Sequence, residues 1–433
     1  MRLSKRVLLR PLAAGAIVAL AACAGQPRMA TSAPMPPVMT APPAPSAPVT
    51  PAATLTFSPV QFSELAGWSQ SDPRQALNAF RRSCVLMLGE PADTPMGGSG
   101  YAGTAGDWWN SCQRAYATGA ASVEAVRKYF EDEFVPVRLL QAGSDGFFTG
   151  YFEPELLGSR TRHDQYQTPI YGVPSDLVKI DGAAYRDTAA SDSFAMRMMM
   201  SVLMSRYVPY PARAEIERDG IPATPLFYVD DAIGAFFMQV QGSGRVALDD
   251  GSVVRAAYAG QNGQPYTAIG SVLLERGELT SEEVSLQSIR GWLVAHPDQA
   301  REVMDENESY IFFTEQPIGE PEAGANGAEG VSLTPGASLA VDPEFHPYGV
   351  PVWLEGTAPD PDSAQPDRMF DQLLIAQDTG GAIRGPLRGD VYWGFGPDAA
   401  AIAGRMKNSA RVTVLLPRAV AARLPQRGNI PLS

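Results

Sequence analysis

The feature that most constrains this chain is a change of texture near residue 146. From there on, short segments rich in aromatic and β-branched residues alternate with turn residues. Phe147 to Glu153, Pro169 to Val173, Phe227 to Val229 and Ala235 to Val240 read as strands. Arg245 to Leu248 and Val253 to Tyr258 flank Asp249-Asp250-Gly251, a turn signal that predicts a β-hairpin. Gln316 to Gly336, rich in Gly, Pro, Ala and Glu, reads as an exposed loop or junction, and its acidic part, Glu315 to Glu329, as an exposed expansion. Strands then return at Ser338–Val341, Pro351–Leu354, Leu373–Gln377, Asp390–Trp393 and Arg411–Leu416, with a short helix at Asp398–Met406 between the last two. Many short strands with irregular connections predict barrels rather than a doubly wound sheet.

The segment before this change is helical in pattern. Asp72-Pro73 is a cap followed by a proline, and Arg74 to Leu88 is amphipathic. Asp107 to Tyr116 and Ser122 to Phe134 read as two more helices. Thr280 with Glu283 forms a capping box, predicting a helix to about Asn307 with a break at Pro297. The fold class expected is mainly β with a helical N-terminal part. At 433 residues the chain can build one large or two ordinary domains. Cys84 and Cys112 fit a bridge and buried free thiols equally.

The first 54 residues belong to no packed core. Arg2, Lys5, Arg6 and Arg10 precede a short apolar run, Pro11 to Ala22, which is too short to span a bilayer and reads as a signal peptide. It ends in Leu20-Ala21-Ala22-Cys23, which resembles the lipobox of bacterial lipoproteins. That resemblance implies acylation of Cys23, anchorage to a lipid membrane and, with Ala24 next, an outer-membrane lipoprotein facing the periplasm. Nine prolines from Pro27 to Pro51 make the following stretch, residues 24–54, an extended tether. The net charge of −13 argues against binding nucleic acid through a basic surface.

His163, His296 and His346 show no metal-ligand spacing, and neither a nucleophile elbow, a P-loop nor a Cys-x-x-Cys pair is present. Carboxylates remain as acid/base groups. Asp342, Asp378 and Asp390 each stand at a strand end or turn, and glycines follow Asp378 closely, which would let a ligand approach the backbone. Asp is also an ordinary turn residue, and for Asp342, before Pro343, spacing favours that supporting role.

Three blocks carry a resemblance: Ala376–Gly385 (AQDTGGAIRG), Asp390-Val391-Tyr392 with Gly394-Phe395-Gly396, and Ser338–Asp342 (SLAVD). Together they look like a three-aspartate domain. Phe148–Pro154 (FTGYFEP), Gln239–Gly244 (QVQGSG), Tyr258–Gly263 (YAGQNG) and Asn307–Phe313 (NESYIFF) add further signatures in order. Over about residues 60 to 418 the chain resembles the membrane-bound lytic murein transglycosylase A family. The resemblance implies a double-psi β-barrel from residues 55–145 and 315–420, a smaller barrel-like insertion at 146–314, and a groove between them. It implies peptidoglycan glycan strands as substrate and partner, and no metal or organic cofactor. Asp390 matches the catalytic aspartate, with Asp378 and Asp342 as neighbours. Thr149, Gly150, Tyr151, Gln241, Ser243 and Gly244 would hold sugar, although Tyr151 and Tyr258 fit core packing equally well, and Trp393 fits it better. The loop Gly385–Gly389 departs from the family pattern. A hydrolase on the same site, and a wall-binding module without catalysis, stay open as alternatives.

Overall fold

In a computed structural model, the described residues are 54–119, 122–141, 145–181, 193–200, 205–320, 323–424 and 429–431. The Cys23 lipobox and most of the proline-rich tether lie outside them. Strand β1 (Thr54–Pro59) precedes helices α1 (Arg74–Gly89), α2 (Ala105–Ala117) and α3 (Val123–Glu133). Then follow β2 (Phe134–Gln141), β3 (Gly146–Glu153), β4 (Glu155–Ser159), β5 (Thr168–Tyr171), β6 (Leu177–Asp181), β7 (Ser193–Met200) and β8 (Ser205–Pro209). Helix α4 (Arg213–Asp219), β9 (Pro225–Val229), α5 (Ala232–Gln241), β10 (Ser243–Leu248) and β11 (Val253–Gln261) come next. Three helices, α6 (Ile269–Glu275), α7 (Leu286–Ala295) and α8 (Pro297–Asp305), lead to β12 (Ile311–Pro317). The last part holds β13 (Ser338–Val341), β14 (Pro351–Ala358), β15 (Arg368–Asp378), β16 (Arg388–Phe395), α9 (Gly396–Ala403), β17 (Lys407–Pro417), α10 (Arg418–Ala421) and β18 (Asn429–Pro431).

The strands sort into three sheets. The largest runs β14-β15-β13-β16-β3-β17-β2-β1-β18, and β17 also pairs with β14 from Val352↔Val414 to Gly356↔Ala410. That extra pairing closes six strands into a ring. A second sheet runs β12-β11-β10-β4-β9-β5, and a bridge between Gly172 and Phe313 brings its two ends together. β6, β7 and β8 form a small antiparallel sheet. Strands buried on both faces need apolar side chains throughout. All four residues of β13, Ser-Leu-Ala-Val, are buried, as are Leu373 to Gln377 of β15. Helices α1 to α3 close one side of the ring through Phe80, Trp108 and Phe130, which share its core with Phe134 of β2, Trp353 and Val414.

Cys84 and Cys112 are joined in a disulfide that ties α1 to α2 across 28 residues. Breaking a loop of that size releases the unfolded chain by about 3 kcal/mol. The double variant Cys84→Ser, Cys112→Ser is therefore expected to unfold at lower urea concentration, with a loss of that order. An unchanged midpoint would show that the bond constrains nothing.

Two local expectations are corrected. Ala235 to Val240 is not a strand but the core of α5. The Asp231 carboxylate accepts from the Gly234 N–H at 2.8 Å, and Gly242 ends the helix with φ of 82°. The run is buried on every side, from Gly234 to Gln239, so its apolar pattern has no period to betray the helix. The Thr280–Glu283 box does form, with Thr280 N–H donating to Glu283 at 3.1 Å, but it closes a single turn. The helix starts at Leu286 under its own cap, Ser285, and breaks before Pro297 as expected.

Candidate active site

Strand register brings the site together. Asp390 on β16 stands opposite Ala340 of β13 on one side and Thr149 of β3 on the other. Ala340 is also the partner of Asp378 on β15. The four positions form one row across neighbouring strands, with the small Ala340 between the two aspartates. Two strand spacings put their backbones roughly 10 Å apart. Side chains two residues apart share a face of a strand. Arg388 with Phe147, Asp390 with Thr149 and Tyr392 with Tyr151 are thus three consecutive pairs.

Asp390 is half-buried at this face, yet densely ringed by protein. Burial is the main reason that its carboxyl is pushed up from the ordinary 3.8 to about 6. The positive charge of Arg388 and a hydrogen bond from Thr149 pull it down, and the charge of Asp378 adds a smaller upward push. Thr149 Oγ1 lies 2.8 Å from Asp390 Oδ1. Among the described residues, nothing donates to Oδ2.

Asp378 is held differently. Tyr151 donates its phenol proton to Oδ2 at 2.7 Å, and the Ala328 N–H donates to Oδ1 at 2.9 Å. Burial still raises its carboxyl. Asp378 therefore touches Asp390 only through space; the hydrogen bond that orients Asp390 comes from Thr149. Asp342 is buried, and both of its oxygens accept backbone N–H groups, from Glu344 at 3.2 Å and Gly385 at 2.7 Å. It pins the loop that leads to Asp390. His346 does the same from beneath: Tyr101 and Pro386 O flank its ring nitrogens at 2.9 and 2.6 Å.

The remaining sequence candidates separate into two groups. Thr149 is in the row and Tyr151 is one pair further along β3, and the hydroxyl of each is turned to an aspartate. Gly150 faces away: a Cβ there would lie 2.7 Å from the Trp393 indole nitrogen and 2.9 Å from the Ala403 Cα. Its missing side chain makes room for α9. Gln241 spends its side-chain oxygen on the Phe152 N–H at 3.0 Å. Gly244 lies against Met238 and Pro154, and Ser243 is buried in the β10–β11 pairing. These three fasten the second sheet to the end of β3.

Several neighbours of the row carry no obvious motif. Arg388 Nη2 donates to Thr149 Oγ1 at 2.7 Å. Its position two residues before Asp390 on a strand was a readable signal. Tyr266, from the loop after β11, is 41% exposed, approaches Gly381 and lies within electrostatic reach of Asp390. The acidic stretch is only partly the exposed expansion expected of it. Its end folds back on β15: Glu329 N–H donates to Gln377 O at 3.0 Å, and Ser83 donates to Glu329 Oε2 at 2.7 Å. Burial pushes the Glu329 carboxyl up to about 7.

Beneath the row lies a buried ion cluster. Glu153, fully buried, accepts from Arg255 Nε at 2.7 Å, lies 3.5 Å from Arg245 Nε and accepts from the Tyr392 hydroxyl at 3.2 Å. Tyr392 in turn packs on Tyr151 with ring centroids 5.2 Å apart. The cluster joins β10 and β11 to the strands that carry the site.

Comparison with known proteins agrees with this arrangement. The family profile "MltA specific insert domain" matches residues 147–314, and "3D domain" matches 337–416. The chain is 30% identical over 320 residues to the membrane-bound lytic murein transglycosylase A of Escherichia coli K12, covering 71% of this chain and 78% of that protein. It superposes on the crystal structure of a membrane-bound lytic murein transglycosylase from Agrobacterium tumefaciens with a TM-score of 0.73 and 34% identity, over 85% of this chain and 99% of that one. It also matches the crystal structure of E. coli MltA with bound chitohexaose, at a TM-score of 0.60 and 27% identity, over 84% of this chain and 94% of that one. The class is thus that of the lytic transglycosylases. Within it, the chain belongs to the membrane-bound lytic murein transglycosylase A family.

Proposed function

We propose that this enzyme cleaves the β-1,4 bond between N-acetylmuramic acid and N-acetylglucosamine in peptidoglycan without consuming water, using Asp390 as acid and then as base. The observation that carries this reading is the contrast between the two aspartates. Asp390 has a raised carboxyl and one uncommitted oxygen, whereas both Asp378 oxygens accept hydrogen bonds. One carboxyl is therefore equipped to exchange a proton, and the second is poorly placed to activate a water as an inverting hydrolase requires.

Protonated Asp390 gives its proton to the glycosidic oxygen as the bond to C1 breaks. The sugar's own N-acetyl oxygen stabilises the positive charge at C1. Asp390, now ionised, removes the proton from the C6 hydroxyl, whose oxygen closes on C1. The product is a 1,6-anhydro sugar, and Asp390 is again protonated. Thr149 orients the acid; Tyr151 and Asp378 shape the adjoining surface; Asp342 holds the loop behind it. The bound chitohexaose of the E. coli relative, a β-1,4-linked amino-sugar oligomer, supports a glycan chain as occupant.

The closed six-strand ring supports a barrel reading, the double-psi type being the one the family resemblance implies; five of its strands, β13 to β17, come from 315–420, and the sixth, β3, from the first residues of the 146–314 segment. The family's membrane-bound character supports acylation of Cys23 and an outer-membrane lipoprotein facing the periplasm. No helix among the described residues is long and apolar enough to cross a membrane. Mass-labelling of the mature N-terminus tests this: a diacylglyceryl cysteine is expected, and an unmodified Cys23 or an uncleaved leader would overturn it.

Because the acid must begin protonated, the rate is expected to fall as pH rises through about 6. A pH profile of muropeptide release checks this, and a rate that keeps climbing well above that value would contradict a protonated Asp390.

A further inference from the structure

We infer that Arg388 is a positioning residue for the acid: through Thr149 it decides which oxygen of Asp390 carries the catalytic proton. The inference rests on the reading of Asp390 as the acid. Arg388 Nη2 lies 2.7 Å from Thr149 Oγ1, and Thr149 Oγ1 lies 2.8 Å from Asp390 Oδ1. A guanidinium can only donate, and a threonine hydroxyl has a single hydrogen. Thr149 accepts from Arg388, and the positive charge of the guanidinium favours turning the hydroxyl's own hydrogen to Asp390 Oδ1. An oxygen that accepts this bond is the carbonyl oxygen of the neutral carboxyl. The acidic hydrogen is left on Oδ2, the oxygen without a donor.

With Arg388 removed, the hydroxyl could rotate and accept from the carboxyl instead, drawing the catalytic proton onto Oδ1 and away from the glycosidic oxygen. The geometry opposes this rotation at several points. Arg388 Nη1 donates to the carbonyls of Gly389 and Phe147, the latter at 3.5 Å, and the guanidinium sits 5.4 Å from the centre of the Phe147 ring. The loop that carries Arg388 is tied down by Asp342 at Gly385 and by His346 at Pro386. Arg388 also places a positive charge within reach of Asp390, which favours its ionised form in the second half of the reaction. The other titratable groups facing Asp390 are Asp378 on β15, Tyr151 on β3 and Tyr266 from the loop after β11.

The test compares Arg388→Gln with Arg388→Met in the full chain, reading kcat for anhydro-muropeptide release against pH beside Asp390→Asn. Gln keeps a donor for Thr149 but loses the charge; Met loses both. Both variants should move the alkaline limb of the profile upward, and Met should fall a further tenfold or so below Gln in maximal rate. A matched pair at position 149 guards against misfolding: Thr149→Ser, which keeps the hydroxyl, should retain far more rate than the isosteric Thr149→Val. An unmoved alkaline limb in both Arg388 variants, or equal rates for Thr149→Val and Thr149→Ser, would overturn the relay while leaving an inactive Asp390→Asn to uphold the acid. Activity surviving in Asp390→Asn would instead remove the reading on which the relay rests.

Discussion

Asp390→Asn is expected to lose anhydro-muropeptide release by roughly a thousandfold or more, since the amide can neither give nor recover a proton. Mass spectrometry of soluble fragments from purified peptidoglycan reads this directly. Wild type should release anhydro products and the variant essentially none. Reducing-end products from wild type, heavier by one water, would make the enzyme a hydrolase; release of nothing by either would favour a binding module. The same substitution has a second expected effect, of opposite sign, on stability. Asp390 ionises near 3.8 in an unfolded chain and at about 6 in the folded one. Its contribution is therefore favourable below about 3.8 and is lost as pH rises through about 6. The loss by neutral pH is up to about 3 kcal/mol. A neutral amide escapes it, so Asp390→Asn should melt above wild type at neutral pH and lose that advantage in acid. Coincident melting curves at both pH values would show that the acid is not held in a desolvated state.

The second large effect is structural. Glu153→Ala should destabilise the fold by about 3–5 kcal/mol, because it removes one member of a buried ion pair and leaves the Arg255 Nε without its 2.7 Å partner. Glu153→Gln, which keeps an acceptor, should cost less. Chemical denaturation checks both. Activity measured where the variants remain folded should also drop, since Tyr392 loses its hydrogen bond to Glu153 and Tyr392 is what supports Tyr151. A stability change within the range of ordinary surface substitutions, about 0.5 kcal/mol, would mean that the cluster is not what joins the second sheet to the site.

Much of this was legible before any fold was in view. Alternating and continuous apolar runs placed β3, β13, β15, β16 and β17, and helical patterning placed α1 to α3. Asp378 and Asp390 were singled out by where they stand, at a strand end and beside a turn. Where pattern failed, the reason is physical. The run at 235–240 is apolar on all sides, so it has no helical stripe to read. The family resemblance assigns Gly150 and Gly244 to sugar, and the groups packed against them are Trp393 with Ala403, and Met238.

Sequence alone determined most of the elements and the mainly β class, because periodicity, caps and turn residues act over a few neighbours in the chain; Asp342, Asp378 and Asp390 were candidates by position and by family resemblance. Tertiary structure alone decided the roles. Register across β3, β16, β13 and β15 put Thr149, Asp390, Ala340 and Asp378 in one row, although more than 200 residues separate Thr149 from Asp390. It left Asp390 with a raised carboxyl and an oxygen to which no described residue donates, gave Asp378 a hydrogen bond on each oxygen, and tied Asp342 to the loop at Gly385. Burial and hydrogen-bond partners set those differences, and both come from residues far apart in the chain.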